Sequence, residues 1–217
     1  MSSKLSAKLC AVRVVAVALG LCAWFGTQKL IAARPFAESG VGDKIFDLTA
    51  GLNAALVSDP ERANLLLILS SAVIDIVGCF LLLSAIFGRS IRPFLGLLIL
   101  FGLRQICQGL IALPLPPGMI WNDPGFPSLL VTYGTATDLF FSGHTALAFY
   151  GALEISRYEG KIYKLIGLLI AVFEASTVLV LRAHYTMDVY AGAITALWVS
   201  GFIDRVAARV DALLEGV

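Results

Sequence analysis

Two histidines stand in the chain, each in a short polar run beside an apolar segment. His144 lies in Asp138-Leu-Phe-Phe-Ser-Gly-His-Thr145, and His184 in Arg182-Ala-His-Tyr-Thr-Met-Asp188. On a helix, residues four apart share a face, so Asp188 can reach the His184 ring, fix its tautomer and stabilise the imidazolium. The other ring nitrogen is then free to attack, and a phosphoryl group is the natural electrophile for a histidine nucleophile. Arg182, two residues ahead, offers a guanidinium for phosphate oxygens. Gly143 lets backbone approach a ligand beside His144. Ser142 and the amides that open the next helix add donors for an anion. His144 is placed to protonate a departing alkoxide and to deprotonate an incoming one. Asp138 and Tyr185, within the same two motifs, complete the candidate substrate-contacting set. A lone histidine at a membrane edge is usually a polar cap. Two on one predicted face, one with Asp at i+4 and Arg at i−2, favour catalysis.

The elements that must position these motifs are apolar. The chain of 217 residues is 59% hydrophobic and 14% charged, with a mean hydropathy of +0.88. Soluble domains are roughly 45–50% apolar and about 25% charged, so a water-soluble globule is excluded. A crossing needs roughly 20 mostly apolar residues. The expected fold is therefore all-α: a polytopic membrane protein of about six transmembrane helices. The spans are Cys10–Ile31, Asn64–Phe87, Pro93–Leu113, Phe141–Ile155, Ile162–Leu181 and Tyr185–Val206. Residues 1–217 read as one membrane-embedded catalytic domain. The first span, preceded by Lys4, Lys8 and Arg13, lacks a small-residue cleavage site and reads as a retained helix. Near 43–57, Ile45, Leu48, Leu52 and Leu56 recur at helical spacing, as in an interfacial helix or a linker helix packed on the bundle.

Lys and Arg cluster before span one, between spans two and three (Arg89, Arg92), between four and five (Arg157, Lys161, Lys164) and after six (Arg205, Arg209). The 114–140 connection has none. The positive-inside rule then puts both termini in the cytoplasm, with the 114–140 loop and the histidines on the other side. A formal charge of +1 leaves no electrostatic footprint for nucleic acid. Cys10, Cys22, Cys79 and Cys107 form no C-x-x-C pair, so neither a disulfide framework nor a zinc site is indicated. Asp75, Arg104 and Glu174 are ionisable groups inside spans. Arg104 reads evenly as a phosphate contact or as a structural partner of Asp75 or Glu174, and the two acids read as structural.

At Ser142-Gly143-His144 and His184-Tyr185-Thr186-x-Asp188 the sequence resembles the type-2 phosphatidic acid phosphatase superfamily. It is most similar to the branch of the sphingomyelin synthases and plant phosphatidylcholine:diacylglycerol cholinephosphotransferases. Supporting matches are Arg104 ahead of Leu113-Pro114-Leu115-Pro116, the Phe46-Asp47-Leu48 segment, the Gly88-Arg89-x-x-Arg92-Pro93 turn, Phe126-Pro127, and Arg182 before His184. The resemblance runs from about Asp43 to Asp204. Phosphatases of the superfamily carry a Lys where this chain has Ala85, and Ser-Arg where it has Thr177 and Val178. Those groups contact phosphate dianions, so their loss favours a phosphodiester head group.

The resemblance implies a two-step exchange through a phospho-histidine. His184 is the nucleophile, Asp188 its partner and His144 the acid and base; Arg104, Ser142, Gly143, Arg182, Asp138 and Tyr185 contact substrate. The partners are a phospholipid donor of phosphocholine or phosphoethanolamine, a lipid alcohol acceptor such as diacylglycerol or ceramide, and the membrane itself. A homo-oligomer is allowed. No cofactor is called for and no metal is required, since the Asp-rich signature of CDP-alcohol transferases is missing. Two rivals stay open: a lipid phosphatase or phospholipase C-like hydrolase, and a non-catalytic lipid-binding membrane protein. Tyr133, Phe140, Tyr185 or Trp121 could cage a choline cation, or simply pack.

Overall fold

A computed structural model describes residues 40–131, 133 and 139–214, together with Val15, Cys22 and Gly26. The first predicted span, Cys10–Ile31, apart from those three residues, and the site candidate Asp138 therefore lie outside the described residues. The chain divides into two units, Met1–Gly42 and Asp43–Val217. The described residues of the second unit form helices and no strand: α1 (Lys44–Leu48), α2 (Ala50–Ser58), α3 (Pro60–Phe87), α4 (Arg92–Leu110), α5 (Gly143–Ile155), α6 (Lys161–Val180) and α7 (Thr186–Leu214).

Local chemistry sets the boundaries. Asp59 caps α3 by accepting from the Arg62 amide at 3.2 Å, and Pro60 fills the first position, where no amide is needed. α3 stops at the extended Gly88, and Pro93 sits in the first turn of α4. With so short a connection α3 and α4 run antiparallel.

Among the described residues four helices, α3, α4, α6 and α7, are long and apolar enough to cross a membrane. They correspond to the predicted spans Asn64–Phe87, Pro93–Leu113, Ile162–Leu181 and Tyr185–Val206. Their outward faces carry apolar side chains such as Leu65, Leu69 and Leu83 on α3, and Leu165, Leu168 and Val172 on α6. The predicted span Phe141–Ile155 is the 13-residue α5, about 20 Å long at 1.5 Å per residue and short of the bilayer. Nine of its 13 residues are buried, so neighbouring helices rather than lipid surround it. α6 and α7 pack most extensively on it, with α3 and α4 closing the other sides. Its Leu147 and Tyr150 join Val77 and Leu81 of α3, Leu100 of α4 and Val199 of α7 in the main core.

Small residues let the neighbours in. A Cβ on Gly167 of α6 would stand 2.7 Å from the Ala152 carbonyl, and one on Gly192 of α7 would stand 2.8 Å from the Ser142 carbonyl. Such close backbone approach drives helix packing where the surroundings are as apolar as the side chains.

The 43–57 stretch is helical, as its spacing predicts, but broken at Thr49 into α1 and α2. Of the Ile45, Leu48, Leu52, Leu56 stripe, Leu56 packs against the cluster of Leu67, Val178 and Leu181, and the middle of the stripe faces outward. Phe46 and Asn53 are buried, while Leu48 and Leu52 are exposed. The Asn53 amide donates to the carbonyls of Gly118 (3.1 Å) and Val180 (2.9 Å), and this fixes the rotation of α2. Helical periodicity alone does not reveal a polar anchor of this kind.

At the end of α5 away from His144, Glu154 is buried and forms an ion pair with the buried Arg92. Arg92 also donates to Asp204 (2.8 Å) and to the Ser200 carbonyl (3.0 Å), and its own carbonyl accepts from the Tyr150 hydroxyl (3.2 Å). Removing one member of a buried pair costs roughly 3–5 kcal/mol, because the partner charge is stranded. Arg92→Leu is expected to lower the thermal unfolding midpoint in detergent by a loss of about that size. Arg92→Leu with Glu154→Leu should recover most of it.

Candidate active site

The turn between α6 and α7 carries the second histidine. Arg182 there has φ 52°, a left-handed conformation that costs a non-glycine residue roughly 1–3 kcal/mol and must be held by its surroundings. Its guanidinium donates to the carbonyls of Pro117 (2.6 Å) and Phe46 (3.4 Å) and lies 5.2 Å from the Phe46 ring centroid. Tyr185 stacks on the same ring at 5.6 Å, and its hydroxyl donates to the Pro114 carbonyl at 3.1 Å. The proline-rich turn and α1 thus brace the loop from outside.

His184 sits two residues before α7, not on it. The spacing to Asp188 still works, because Asp188 reaches back over the helix start. Its Oδ2 accepts from the Tyr185 amide at 2.9 Å, one half of a capping box, and lies 3.7 Å from His184 Nδ1. Asp188 is fully buried, and its Oδ1 has no hydrogen-bond partner among the described residues.

The first histidine opens α5. Ser142 caps that helix, its hydroxyl accepting from the Thr145 amide at 3.3 Å. The Ser142 amide donates to the Asp188 carbonyl at 3.2 Å, which joins the two histidine motifs backbone to backbone. Arg104 crosses from α4, its Nε donating to the Phe141 carbonyl at 2.9 Å. A Cβ on Gly143 would stand 3.0 Å from that Nε, so a side chain here would press on the guanidinium. The His144 ring meets Trp121 edge-on at 5.2 Å, and Trp121 packs on Tyr133 at 4.9 Å. Burial raises the Tyr133 phenol above its ordinary value, which keeps it neutral beside the Ser71 hydroxyl that it bonds.

His144, His184, Arg104, Gly143 and Trp121 line one cavity of about 270 Å³, whose remaining walls are largely apolar. His144 Nε2 is buried there with no hydrogen-bond partner among the described residues. The sequence candidates thus sort by position. His144, His184, Arg104 and Gly143 face one space, and Asp188 and Ser142 stand behind the histidines. Arg182 and Tyr185 are turned to the proline-rich turn and to Phe46. Asp75 and Glu174 are held elsewhere. Asp75 accepts from the amides of Leu129 (2.8 Å) and Leu130 (2.9 Å), and Glu174 accepts from the Ser70 hydroxyl (2.7 Å).

The family model AtPDCT1/2 matches residues 42–207. The chain belongs to this family. Among curated proteins it is similar to phosphatidylcholine:diacylglycerol cholinephosphotransferase 1 of Arabidopsis thaliana, 26% identical over 175 residues. That match takes in 81% of this chain and 56% of the relative, so the chain spans little more than half of the relative's length. No solved structure matches the chain significantly.

The part that is common to the AtPDCT1/2 family begins just ahead of a residue that motif reasoning missed. Asp43 Oδ2 accepts from the Thr186 amide at 2.6 Å, and its Oδ1 accepts from the Thr186 hydroxyl at 2.7 Å. Oδ1 also accepts from the Ile45 amide at 3.0 Å, so one carboxylate caps α1 in sequence and α7 in space. Nothing in the sequence pairs positions so far apart, although an Asp ahead of a helical run is itself a cap signal. Losing a cap costs about 0.5–2 kcal/mol. Asp43→Ala, which removes two caps, should reduce unfolding stability in detergent by about 1–3 kcal/mol, and Asp43→Asn by less.

Proposed function

We propose that the protein transfers a phosphorylated head group, phosphocholine or phosphoethanolamine, from a phospholipid to diacylglycerol or a related lipid alcohol. A phospho-histidine carries the group between the two lipids. The observation that carries this reading is the convergence of His144, His184 and Arg104 on one cavity, with Asp188 buried behind His184. Family membership and the name of the Arabidopsis relative support the same class of reaction.

In the first step His184 Nε2 attacks the phosphorus of the donor and a P–N bond forms. The P–O bond to the glycerol oxygen breaks as His144 supplies that oxygen with a proton, and diacylglycerol leaves. Asp188, facing Nδ1, stabilises the positive charge that the ring gains. Arg104 offsets charge on the phosphoryl oxygens. In the second step the acceptor hydroxyl gives its proton to His144 and its oxygen attacks phosphorus. The P–N bond then breaks and His184 is regenerated. One phosphate ester replaces another, so no nucleotide is consumed. Largely apolar cavity walls favour a lipid alcohol over water in the second step. The positive-inside pattern puts the cavity on the non-cytoplasmic face of a multi-pass protein with cytoplasmic termini.

The test uses purified protein in mixed micelles with head-group-labelled phosphatidylcholine and unlabelled diacylglycerol. Label is expected in newly formed phosphatidylcholine, and none with His184→Ala. His144→Ala should lower the rate by roughly 10²–10⁴-fold, the usual contribution of a general acid and base. Release of water-soluble phosphocholine instead would make the protein a hydrolase. Transfer that persists in both variants would remove the histidines from the mechanism.

A further inference from the structure

The cavity extends well past the histidines. From the catalytic end it continues between α3 and α4, walled by Ile74, Gly78 and Leu82 on one side and by Leu97 and Phe101 on the other. The α3 residues recur every fourth position, a continuous stripe about 12 Å long at 1.5 Å per residue. On the antiparallel α4, Arg104 marks the catalytic end and Leu97 the far end. The result is a groove, polar at one end and apolar along its length.

A short segment covers it. Leu130 and Val131 line the cavity from the loop that precedes α5. That loop is pinned by Asp75, one turn ahead of Gly78 on α3. The carboxylate accepts from the Leu129 amide at 2.8 Å, the Leu130 amide at 2.9 Å and the Ser128 hydroxyl at 3.2 Å. An ionisable group inside a span is expensive unless it has a task, and here its task is to hold the cover down. Gly78 lets the cover close, since a Cβ at that position would collide with the Leu130 side chain.

We propose that this Asp75-pinned groove between α3 and α4 holds one acyl chain of the reacting lipid, with Gly78 and Leu82 setting how the chain fits. The proposal rests on the lipid-transfer reading and adds the subsite for the apolar part. Both donor and acceptor carry acyl chains on the glycerol whose oxygen reacts. One groove can therefore serve each lipid in turn, and product diacylglycerol must leave it before the acceptor enters.

A binding experiment separates this subsite from the chemistry. A diacylglycerol with a diazirine on one acyl chain is photo-crosslinked to full-length His184→Ala protein in micelles, and the sites are read by mass spectrometry. Adducts are expected at residues 74–82 and 97–101, competed by unlabelled diacylglycerol. Adducts confined to outward-facing Leu65, Leu69 and Leu83 would overturn the proposal. Groove labelling without transfer by the unmutated protein would sink the transfer reading alone. A kinetic arm compares dioleoyl with dioctanoyl donors. Leu82→Trp should lower the dioleoyl-to-dioctanoyl ratio of kcat/KM by about tenfold, equivalent to about 1.4 kcal/mol. Should that variant fold poorly, Leu97→Trp obstructs the same end from α4. A ratio left unchanged by a folded variant also counts against the groove.

Discussion

A helix at the centre of the bundle with a buried ionisable side chain near each end is the constraint around which the rest is arranged. α5 carries His144 in its first turn and Glu154 in its last, with both side chains buried. Water cannot satisfy those groups in hydrocarbon, so the surrounding helices must. α4 serves both ends. Arg92 neutralises Glu154 at one, and Arg104 bonds the carbonyl of Phe141 at the other. Twelve residues separate these arginines, about 18 Å along a helix and close to the length of α5. A single antiparallel neighbour therefore supplies a guanidinium to each end of the central post. The glycines at 167 and 192 complete the fit, since α6 and α7 approach close enough to exclude solvent only without a Cβ there.

The His184 turn answers the same constraint by other means. A buried turn must have its backbone groups paired, and this one is paired from three separate segments. The Ile120 amide donates to the Leu181 carbonyl, Asp43 takes the Thr186 amide, and the Ser142 amide donates to Asp188. Asp188 acts twice, on the start of α7 and on the His184 ring. The consequence is a rigid relation between the two histidines, because the backbone of one motif is bonded to the backbone of the other. Geometry of this kind, set before a ligand arrives, is what the proposed exchange would require of its two histidines.

How much of this was legible in the sequence depended on whether the signal was local. The four long helices followed from hydropathy to within about four residues at each end, except that α7 runs on to Leu214 past the predicted Val206, and the two histidine motifs picked out by spacing line one cavity. α5 was placed correctly along the chain, but its burial at the centre of the bundle was not legible, because its apolar character is the same whether it faces lipid or neighbouring helices. Only tertiary packing separates those cases. Asp43 and Asn53 bond residues far along the chain, and no periodicity encodes such pairs. Arg182 shows a limit of a different kind. Two residues before a histidine looks like a phosphate contact, yet a positive φ turns its side chain to the carbonyls of Pro117 and Phe46.

The charge inventory of the cavity bears on which phosphate ester suits it. Phosphatases of the resembled superfamily carry extra cationic groups where this chain has Ala85 and Val178. Val178 is fully buried, packs with Leu67 and Leu181 in an apolar cluster, and does not itself line the cavity. An arginine there would have to desolvate its charge among aliphatic side chains, which is costly without a partner. Among the described residues that line the space around the histidines, the permanent cation is Arg104. A phosphomonoester dianion would bring up to two negative charges into that space and leave one under-compensated in a low dielectric. A phosphodiester brings one. One cation against one negative charge is the balance that the proposed phosphodiester donor requires.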